Sequence, residues 1–138
     1  MKRTYIDAGV LIAAFRGEDA AARRALEVLD DPGRSLIVSD YLRLEVMPKP
    51  IHHKRQEEVE FMQSVFDQAE NVSHCDVLIE GVLSFAVRYG MGAMDAFHVS
   101  SAVVGRSDEL VTTETLTKPI CGVKEIAVTS LHSRAGKA

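Results

Sequence analysis

Short apolar runs alternate along this chain with longer segments in which apolar residues recur at every third or fourth position. The runs are typical of strands, and the segments between them are typical of amphipathic helices. The predicted strands cover residues 4–7, 35–38, 71–74, 110–112 and 126–128. Strands that are separated by helices usually pair in parallel, with helices packed on both faces. We therefore expect an α/β fold with a mostly parallel, twisted sheet of four to five strands and helices on both faces.

A single domain is predicted for residues 1–132, because a chain of 138 residues is long enough for one hydrophobic core and contains no internal repeat. Residues 133–138 are small and polar and are expected to form a flexible tail. Within the domain, Pro48 and Pro50 are expected to end a helix near Met47, because the residue before a proline avoids the helical region.

The charge and the apolar runs exclude some classes of function. The formal net charge of −4 argues against a generic basic nucleic-acid coat, but it permits an enzyme with a local basic rim. The apolar run at residues 8–15 is too short to cross a bilayer, so no membrane association is expected. Cys75 and Cys121 lack zinc-site spacing and follow no recognisable signal peptide, so we expect reduced thiols and a cytoplasmic protein.

Four acidic residues stand where predicted strands end or predicted helices begin. Asp7 ends the first strand, Glu114 comes just past the fourth, Asp95 opens a helix, and Glu45 lies early in another helix. In a wound α/β domain, the carboxyl ends of strands and the starts of helices face the same edge of the sheet. We therefore expect these four side chains to converge on one pocket, although they come from distant parts of the sequence.

Each acid taken alone also has a structural interpretation. Asp7 and Asp95 are good residues for the start of a helix, whereas Glu45 and Glu114 are common solvated charges. Clustered carboxylates repel one another, and a divalent cation removes that conflict. Oxygen ligands without paired His or Cys favour Mg²⁺ or Mn²⁺, which activate water and orient phosphates. The joint order of the acids therefore indicates phosphodiester hydrolysis.

The residues around these acids form four ordered motifs, which extend from Thr4 to about Val128. They are Ile6-Asp7 with Val10-Leu11-Ile12, Ser39 with Glu45, Met94-Asp95-Ala96 with His98 and Ala102, and Leu110-Val111-Thr112-Thr113-Glu114. Together these motifs resemble those of the PIN-domain nucleases. The single-domain size is most similar to that of the VapC toxins of type II toxin–antitoxin systems.

This resemblance implies a PIN-like fold and a metal-dependent endoribonuclease. Asp7, Glu45 and Asp95 would hold Mg²⁺ or Mn²⁺, and Glu114 would take the place of the fourth acid. A metal-activated water would attack the phosphorus and leave a 5′-phosphate and a 3′-hydroxyl. Thr112 would correspond to the hydroxyl residue that helps to orient the site.

The resemblance also implies partners and reveals two departures from the family pattern. The expected partners are an RNA substrate, a cognate antitoxin that covers the acidic pocket, and a second copy in a homodimer, for which apolar positions on the early helices are candidates. The family usually has Asp where this chain has Glu114, and often has a polar residue where this chain has Gly9. These changes put full activity and one polar contact in doubt, but they leave the three-acid core intact.

Basic residues near the second motif are candidates for contact with the RNA backbone, although a solvated loop and helix start explain them equally well. They are Arg43, Lys49, His53, Lys54 and Arg55. Ser39 is expected to cap the helix that carries Glu45. His98 is interpreted as a packed or surface histidine rather than as a metal ligand.

Other functions are compatible with parts of the pattern. A phosphoaspartate phosphatase would need a second Asp two residues after Asp7, where this chain has Gly9, and no phosphate loop of Walker type is present. An RNA-processing PIN nuclease without an antitoxin would share all the motifs. A catalytically weakened PIN-fold binding module would be consistent with Gly9 and Glu114.

Overall fold

The computed structural model describes residues 1–132, so the tail predicted at residues 133–138 lies outside the described residues. Five strands pair in parallel throughout, in the order β3-β2-β1-β4-β5. They are β1 (Lys2–Ile6), β2 (Arg34–Ser39), β3 (Glu70–Val72), β4 (Glu109–Thr112) and β5 (Ala127–Ser130). The predicted α/β fold with a parallel sheet is thereby confirmed.

Seven α-helices connect the strands within residues 1–132. They are α1 (Ala8–Arg16), α2 (Ala20–Asp30), α3 (Asp40–Val46), α4 (Pro48–His52), α5 (Gln56–Gln68), α6 (Asp76–Tyr89) and α7 (Ala93–Val104). A short 3-10 helix, Pro119–Gly122, lies between β4 and β5. No helix in this part of the chain combines the length and the apolar character that crossing a membrane requires.

The sheet separates two hydrophobic cores, because successive strand residues point to opposite faces. In β1, Ile6 packs with the helices α1, α2, α3 and α5, whereas Tyr5 packs with α6 and α7. In β4, Val111 and Leu110 divide in the same way. Strands that are buried on both faces explain why these segments are continuous apolar runs in the sequence.

The segment around Pro48 differs from the prediction. Helix α3 ends at Val46, but a further five-residue helix, α4, begins directly at Pro48. A proline is tolerated at the first helical position because its missing N–H would have no intrahelical partner there. Pro48 therefore starts a helix as well as ending one, and α4 lengthens the connection between α3 and α5.

The strand order reverses between β1 and β4, and this reversal determines where a ligand can bind. The chain moves from β1 outward through β2 to β3, and later from β4 outward to β5. Ile6 of β1 pairs with Val111 of β4, so the carboxyl ends of the two strands lie side by side. In open α/β sheets, the crevice at such a switch point is the usual ligand site.

Candidate active site

Asp7 lies at this switch point, immediately after β1. Its backbone N–H donates to Val111 O over 3.2 Å, and its Oδ1 accepts from Val10 N–H over 3.2 Å, so it is also the N-cap of α1. Only 6% of Asp7 is exposed. Burial raises the pKa of Asp7 to about 6 and the nearby charge of Asp95 adds to this, although a hydrogen bond from Thr112 partly opposes it. The cap explains the local backbone, but it does not explain why a charge is buried there.

Asp95 lies in the first turn of α7 and is half-buried. Burial raises the pKa of Asp95, and the charges of Glu114 and Glu45 raise it further. Asp95 therefore lies within electrostatic range of Glu114 and Glu45. We call Asp7, Glu45, Asp95 and Glu114 the acid cluster.

Thr112 connects two members of the acid cluster. Its side chain is fully buried at the end of β4. Its hydroxyl oxygen accepts from Glu114 N–H over 3.0 Å, and its hydroxyl donates to the carboxylate of Asp7. The backbone carbonyl of Glu114 also accepts a hydrogen bond from Ser130 of β5. The loop that carries the fourth acid is thus attached to both neighbouring strands.

Glu45 extends from α3 toward α7. Its Oε1 lies 2.7 Å from Nε2 of His98, whose side chain is only 3% exposed. Ser39 caps α3 as predicted, because its Oγ accepts from Leu42 N–H over 3.1 Å. The same Oγ lies 2.7 Å from the hydroxyl of Tyr5. His98 is a buried histidine, as expected, but its contact with Glu45 was not predicted.

The glycine at position 9 makes room for another hydroxyl. A Cβ on Gly9 would lie 2.1 Å from Thr113 Oγ1 and 3.5 Å from Asp7 Oδ1. The Thr113 hydroxyl therefore takes up the space that a side chain at position 9 would need.

The donor atoms of the acid cluster suit a divalent cation, because all of them are carboxylate oxygens, the ligands that Mg²⁺ and Mn²⁺ prefer. A cation would also relieve the repulsion that raises the pKa of Asp7 and Asp95. Within residues 1–132, however, no three Asp, Glu, His or Cys side chains are already positioned to hold a metal ion. Glu45 is engaged with His98, and Asp7 is engaged with Val10 and Thr112. With these contacts in place, a cation would be bound through oxygens that they leave open, such as Oε2 of Glu45.

The predicted basic residues do not form a uniform group. Lys49, His53, Lys54 and Arg55 are exposed on α4 and on the turn that follows it. The guanidinium of Arg43 lies over the ring of Phe66, 4.4 Å from its centroid. This cation–π contact holds Arg43 against the core, which distinguishes it from the four solvated residues.

Sequence analysis missed Lys118 and Tyr5 near the acid cluster, and it named His98 without its contact to Glu45. Lys118 is exposed, and its charge lowers the pKa of Asp95, which burial and the nearby glutamates raise. Tyr5 and His98 form the buried contact with Glu45 through hydrogen bonds. Their spacing could have indicated that they face the acids. Tyr5 lies two positions before Asp7, on the same strand face, and His98 lies one helical turn after Asp95.

Comparison with known proteins agrees with the fold. The profile of the PIN domain family matches residues 4–115. A chain of a toxin–antitoxin complex from Klebsiella pneumoniae superposes with a TM-score of 0.70 at 21% identity, covering 94% of this chain and 98% of that chain. No curated protein sequence matches the chain significantly.

Two further solved structures share the fold at lower sequence identity. VapBC2 from Rickettsia felis, bound to a DNA fragment from its promoter, gives a TM-score of 0.70 at 12% identity, covering 93% of this chain and 98% of that chain. VapC20 from Mycobacterium tuberculosis, a toxin that cleaves the sarcin-ricin loop, gives 0.66 at 12% identity, covering 90% and 98%. Similarity at these identities shows a common fold.

Proposed function

We propose that this chain, which belongs to the PIN domain family, is a metal-dependent endoribonuclease and the toxin of a toxin–antitoxin pair. The observation that supports this most is that Asp7 lies at the switch point of a parallel sheet, where the charge of Asp95 acts on it, while Glu45 and Glu114 act on Asp95. A structural role for each acid separately does not explain this mutual influence. Clustered carboxylates lower stability unless they bind something positive.

Asp7, Glu45 and Asp95 are the residues that we propose hold Mg²⁺ or Mn²⁺, with Glu114 as the fourth acid. When bound, such an ion lowers the pKa of a water molecule and neutralises charge on the scissile phosphate. Thr112 fixes the orientation of Asp7 through the hydroxyl that it donates. Lys118 is an exposed cation that acts on Asp95, and it is suited to contact a phosphate of the substrate.

The substrate is proposed to be RNA, held by its phosphate backbone. Lys49, His53, Lys54 and Arg55 are exposed on one short helix and the turn after it, and Arg43 lies nearby on α3. Contacts from such residues to phosphates contribute affinity that falls as salt increases. They do not specify a sequence, so they leave the choice of RNA target open.

The proposed protein partners are an antitoxin and a second copy of this chain in the cytoplasm. Two of the structural relatives are a toxin–antitoxin complex and a VapBC complex on promoter DNA. For the homodimer, helix α6 offers exposed apolar side chains, with Val77, Leu83 and Val87 exposed by 67%, 70% and 76%. On the early helices, Ile12 and Leu26 are exposed by 40% and 39%, and Leu44 of α3 by 67%. The dimer face is proposed to involve α6, which carries three strongly exposed apolar side chains on one helix.

A catalytically weakened binding module is the second candidate. Glu45 and Asp7 are engaged with protein groups, and Glu114 replaces the usual Asp, so a site that no longer binds metal tightly is consistent with the geometry. Such a module would bind Mn²⁺ weakly, and acid-to-Ala substitutions would leave its function unchanged. A nuclease without an antitoxin differs from the main proposal only in its partner.

The test is cleavage of a structured RNA by the purified protein with Mg²⁺ or Mn²⁺, using Asp7→Asn as the inactive variant. Asp19→Asn is the matched control, since Asp19 also caps a helix near the N-terminus through its side chain but is not part of the acid cluster. We expect products with 5′-phosphate and 3′-hydroxyl ends from the wild type and from Asp19→Asn only. Absence of cleavage by the wild type, or equal cleavage by Asp7→Asn, would contradict the proposal.

A further inference from the structure

A buried chain of hydrogen bonds runs beside the acid cluster and ends on one of its members. Ser39 Oγ lies 2.7 Å from Tyr5 Oη, Tyr5 Oη lies 2.8 Å from His98 Nδ1, and His98 Nε2 lies 2.7 Å from Glu45 Oε1. Ser39 and Tyr5 are completely buried, and His98 is nearly so. We call these contacts the Ser39–Tyr5–His98–Glu45 chain.

With His98 neutral, the carboxylate fixes the direction of every bond in this chain. An ionised Glu45 can only accept, so a neutral His98 must carry its proton on Nε2 and must accept at Nδ1. Tyr5 then donates its hydroxyl to Nδ1, and burial supports this by raising the pKa of Tyr5 above its usual value. Ser39 completes the chain by donating to Tyr5, while its oxygen accepts from Leu42 N–H. All four groups are satisfied in one arrangement.

This chain of hydrogen bonds joins β1, which ends directly before Asp7, to the two helices that carry Glu45 and Asp95. Tyr5 lies on β1, two residues before Asp7. His98 lies on α7, one turn after Asp95. Ser39 caps α3, and Glu45 belongs to that same helix, so this chain of hydrogen bonds begins and ends at α3. The hydrogen bonds therefore set the spacing of β1, α3 and α7 at the level of the acid cluster.

Glu45 is the member of the cluster that most needs such support. Its side chain is 35% exposed and extends from a helix of only seven residues. A glutamate in this situation samples many rotamers unless a partner holds it. His98 and Tyr5 could be packed in the core without any contact to an exposed acid. Their hydrogen-bonded connection to Glu45 therefore indicates a role at the acid cluster.

We propose that His98 and Tyr5 are positioning residues that hold the carboxylate of Glu45 in place for the cation. This inference rests on the proposed nuclease function. A hydrogen bond from His98 to Oε1 leaves Glu45 with its other oxygen for a ligand. Partners that orient a ligating side chain commonly change metal affinity or activity by about 10- to 100-fold when they are removed.

Two substitutions of His98 separate positioning from packing. In His98→Gln the amide nitrogen can reach the place of Nε2 and donate to Glu45, whereas in His98→Asn the shorter side chain reaches only the place of Nδ1. Ser100→Ala is the matched control, because Ser100 is buried on the same helix and its hydroxyl bonds to Leu78 O at 2.7 Å, away from the acids. Tyr5→Phe removes one hydroxyl from the chain and keeps the ring.

The measurements are Mn²⁺ affinity by titration calorimetry, kcat and KM for RNA cleavage, and thermal melting of each variant. We expect His98→Asn to weaken Mn²⁺ binding and to lower kcat by about 10-fold or more, with KM within about twofold. We expect His98→Gln to recover most of this loss, Tyr5→Phe to lose a few-fold, and Ser100→Ala to change only the melting temperature. Equal Mn²⁺ affinity in wild type, His98→Asn and His98→Gln would overturn the inference while the nuclease proposal stands.

A spectroscopic measurement on the wild type does not depend on whether the variants fold. Nitrogen-15 correlation spectra at alkaline pH distinguish the two neutral tautomers of a histidine. We expect His98 to be protonated on Nε2, and a proton on Nδ1 alone would overturn the inference. A wild-type protein that neither binds Mn²⁺ nor cleaves RNA would overturn the nuclease proposal itself, and the positioning role with it.

Discussion

His98 Nε2 lies 2.7 Å from Glu45 Oε1, although 53 positions separate the two residues in the sequence. The contact connects α7, which opens with Asp95, to the short helix α3. It also accounts for the direction in which Glu45 leaves α3. The geometry of the acid cluster therefore depends on buried polar neighbours as well as on the acids, and this leads to tests at both levels.

Replacing Asp7 with Asn should remove cleavage but stabilise the metal-free protein. Burial raises the pKa of Asp7 to about 6, so ionising this side chain costs more free energy in the folded state than in the unfolded chain. Asn keeps the capping acceptor for Val10 and carries no charge. We expect the free energy of unfolding in EDTA to rise by about 1–3 kcal/mol at pH 7. Denaturant unfolding measures this; a lower stability in Asp7→Asn, with Asp19→Asn unchanged, would contradict the electrostatic account.

Addition of Mn²⁺ should raise the melting temperature of the wild type, because a ligand that binds only the folded state stabilises it. At 100-fold excess over Kd the gain is about 2.7 kcal/mol, or roughly 10 °C for a domain of this size. Asp95→Asn should lose most of this shift. Thermal melts with and without EDTA test the prediction, and an equal shift in Asp95→Asn would mean that the ion binds elsewhere.

Gly9 and Thr113 should be energetically coupled. A Cβ on Gly9 would lie 2.1 Å from Thr113 Oγ1, so Gly9→Ala forces the threonine to move and should cost about 1–3 kcal/mol. Thr113→Ala removes the obstructing oxygen, so the double variant should recover part of the loss. A double-mutant cycle from denaturant unfolding measures the coupling. Gly122→Ala is the control, since nothing lies within 4 Å of a Cβ there. Zero coupling between positions 9 and 113 would show that a Cβ on Gly9 does not press on the Thr113 side chain.

Glu109 should support stability without affecting cleavage, because it lies at the opposite end of the strands from the acid cluster. Its carboxylate accepts from Thr4 Oγ1 at 2.7 Å, Arg34 Nε at 2.9 Å and Thr129 Oγ1 at 3.1 Å, and Lys2 Nζ is 3.4 Å away. Burial alone would raise the pKa of Glu109, but these hydrogen bonds and charges outweigh it, and the pKa is lowered. Glu109→Gln should cost about 2 kcal/mol at pH 7.

The pH dependence of that stability has a definite sign. A lowered pKa in the folded state means that Glu109 stabilises the fold fully above its unfolded pKa of about 4.3. The contribution is lost as the pH falls from there through the lower folded pKa. Glu109→Gln should therefore flatten the acid side of the stability curve. If the free energy of unfolding falls in parallel for wild type and variant from pH 7 to pH 3, the contacts of the ionised Glu109 carboxylate are not the source of the stabilisation.

The placement of Asp7 directly after β1 and of Asp95 in the first turn of α7 could be predicted because strand ends and helix starts are local features of the sequence. The parallel pairing followed from the alternation of strands and helices, and the structure confirms it. The helix at Pro48 was missed because a proline that ends one helix is also favoured at the start of the next.

The contacts that shape the acid cluster were harder to predict. Tyr5 resembles an ordinary core residue in sequence, and its hydrogen bond to His98 joins residues that are 93 positions apart. The meeting of Thr113 with Gly9 depends on how two loops pack after the strands have paired. Such side-chain pairings arise from the tertiary structure and leave no periodic pattern in the chain.

The most direct test of the central claim, that separate segments share one cation, is anomalous diffraction from crystals soaked in Mn²⁺. We expect an anomalous peak bounded by the carboxylates of Asp7, Glu45 and Asp95, with Glu114 on the same side. Crystals of Asp95→Asn should lose that peak. A wild-type map with no peak among these side chains at saturating Mn²⁺, or with a peak only elsewhere on the surface, would contradict the account.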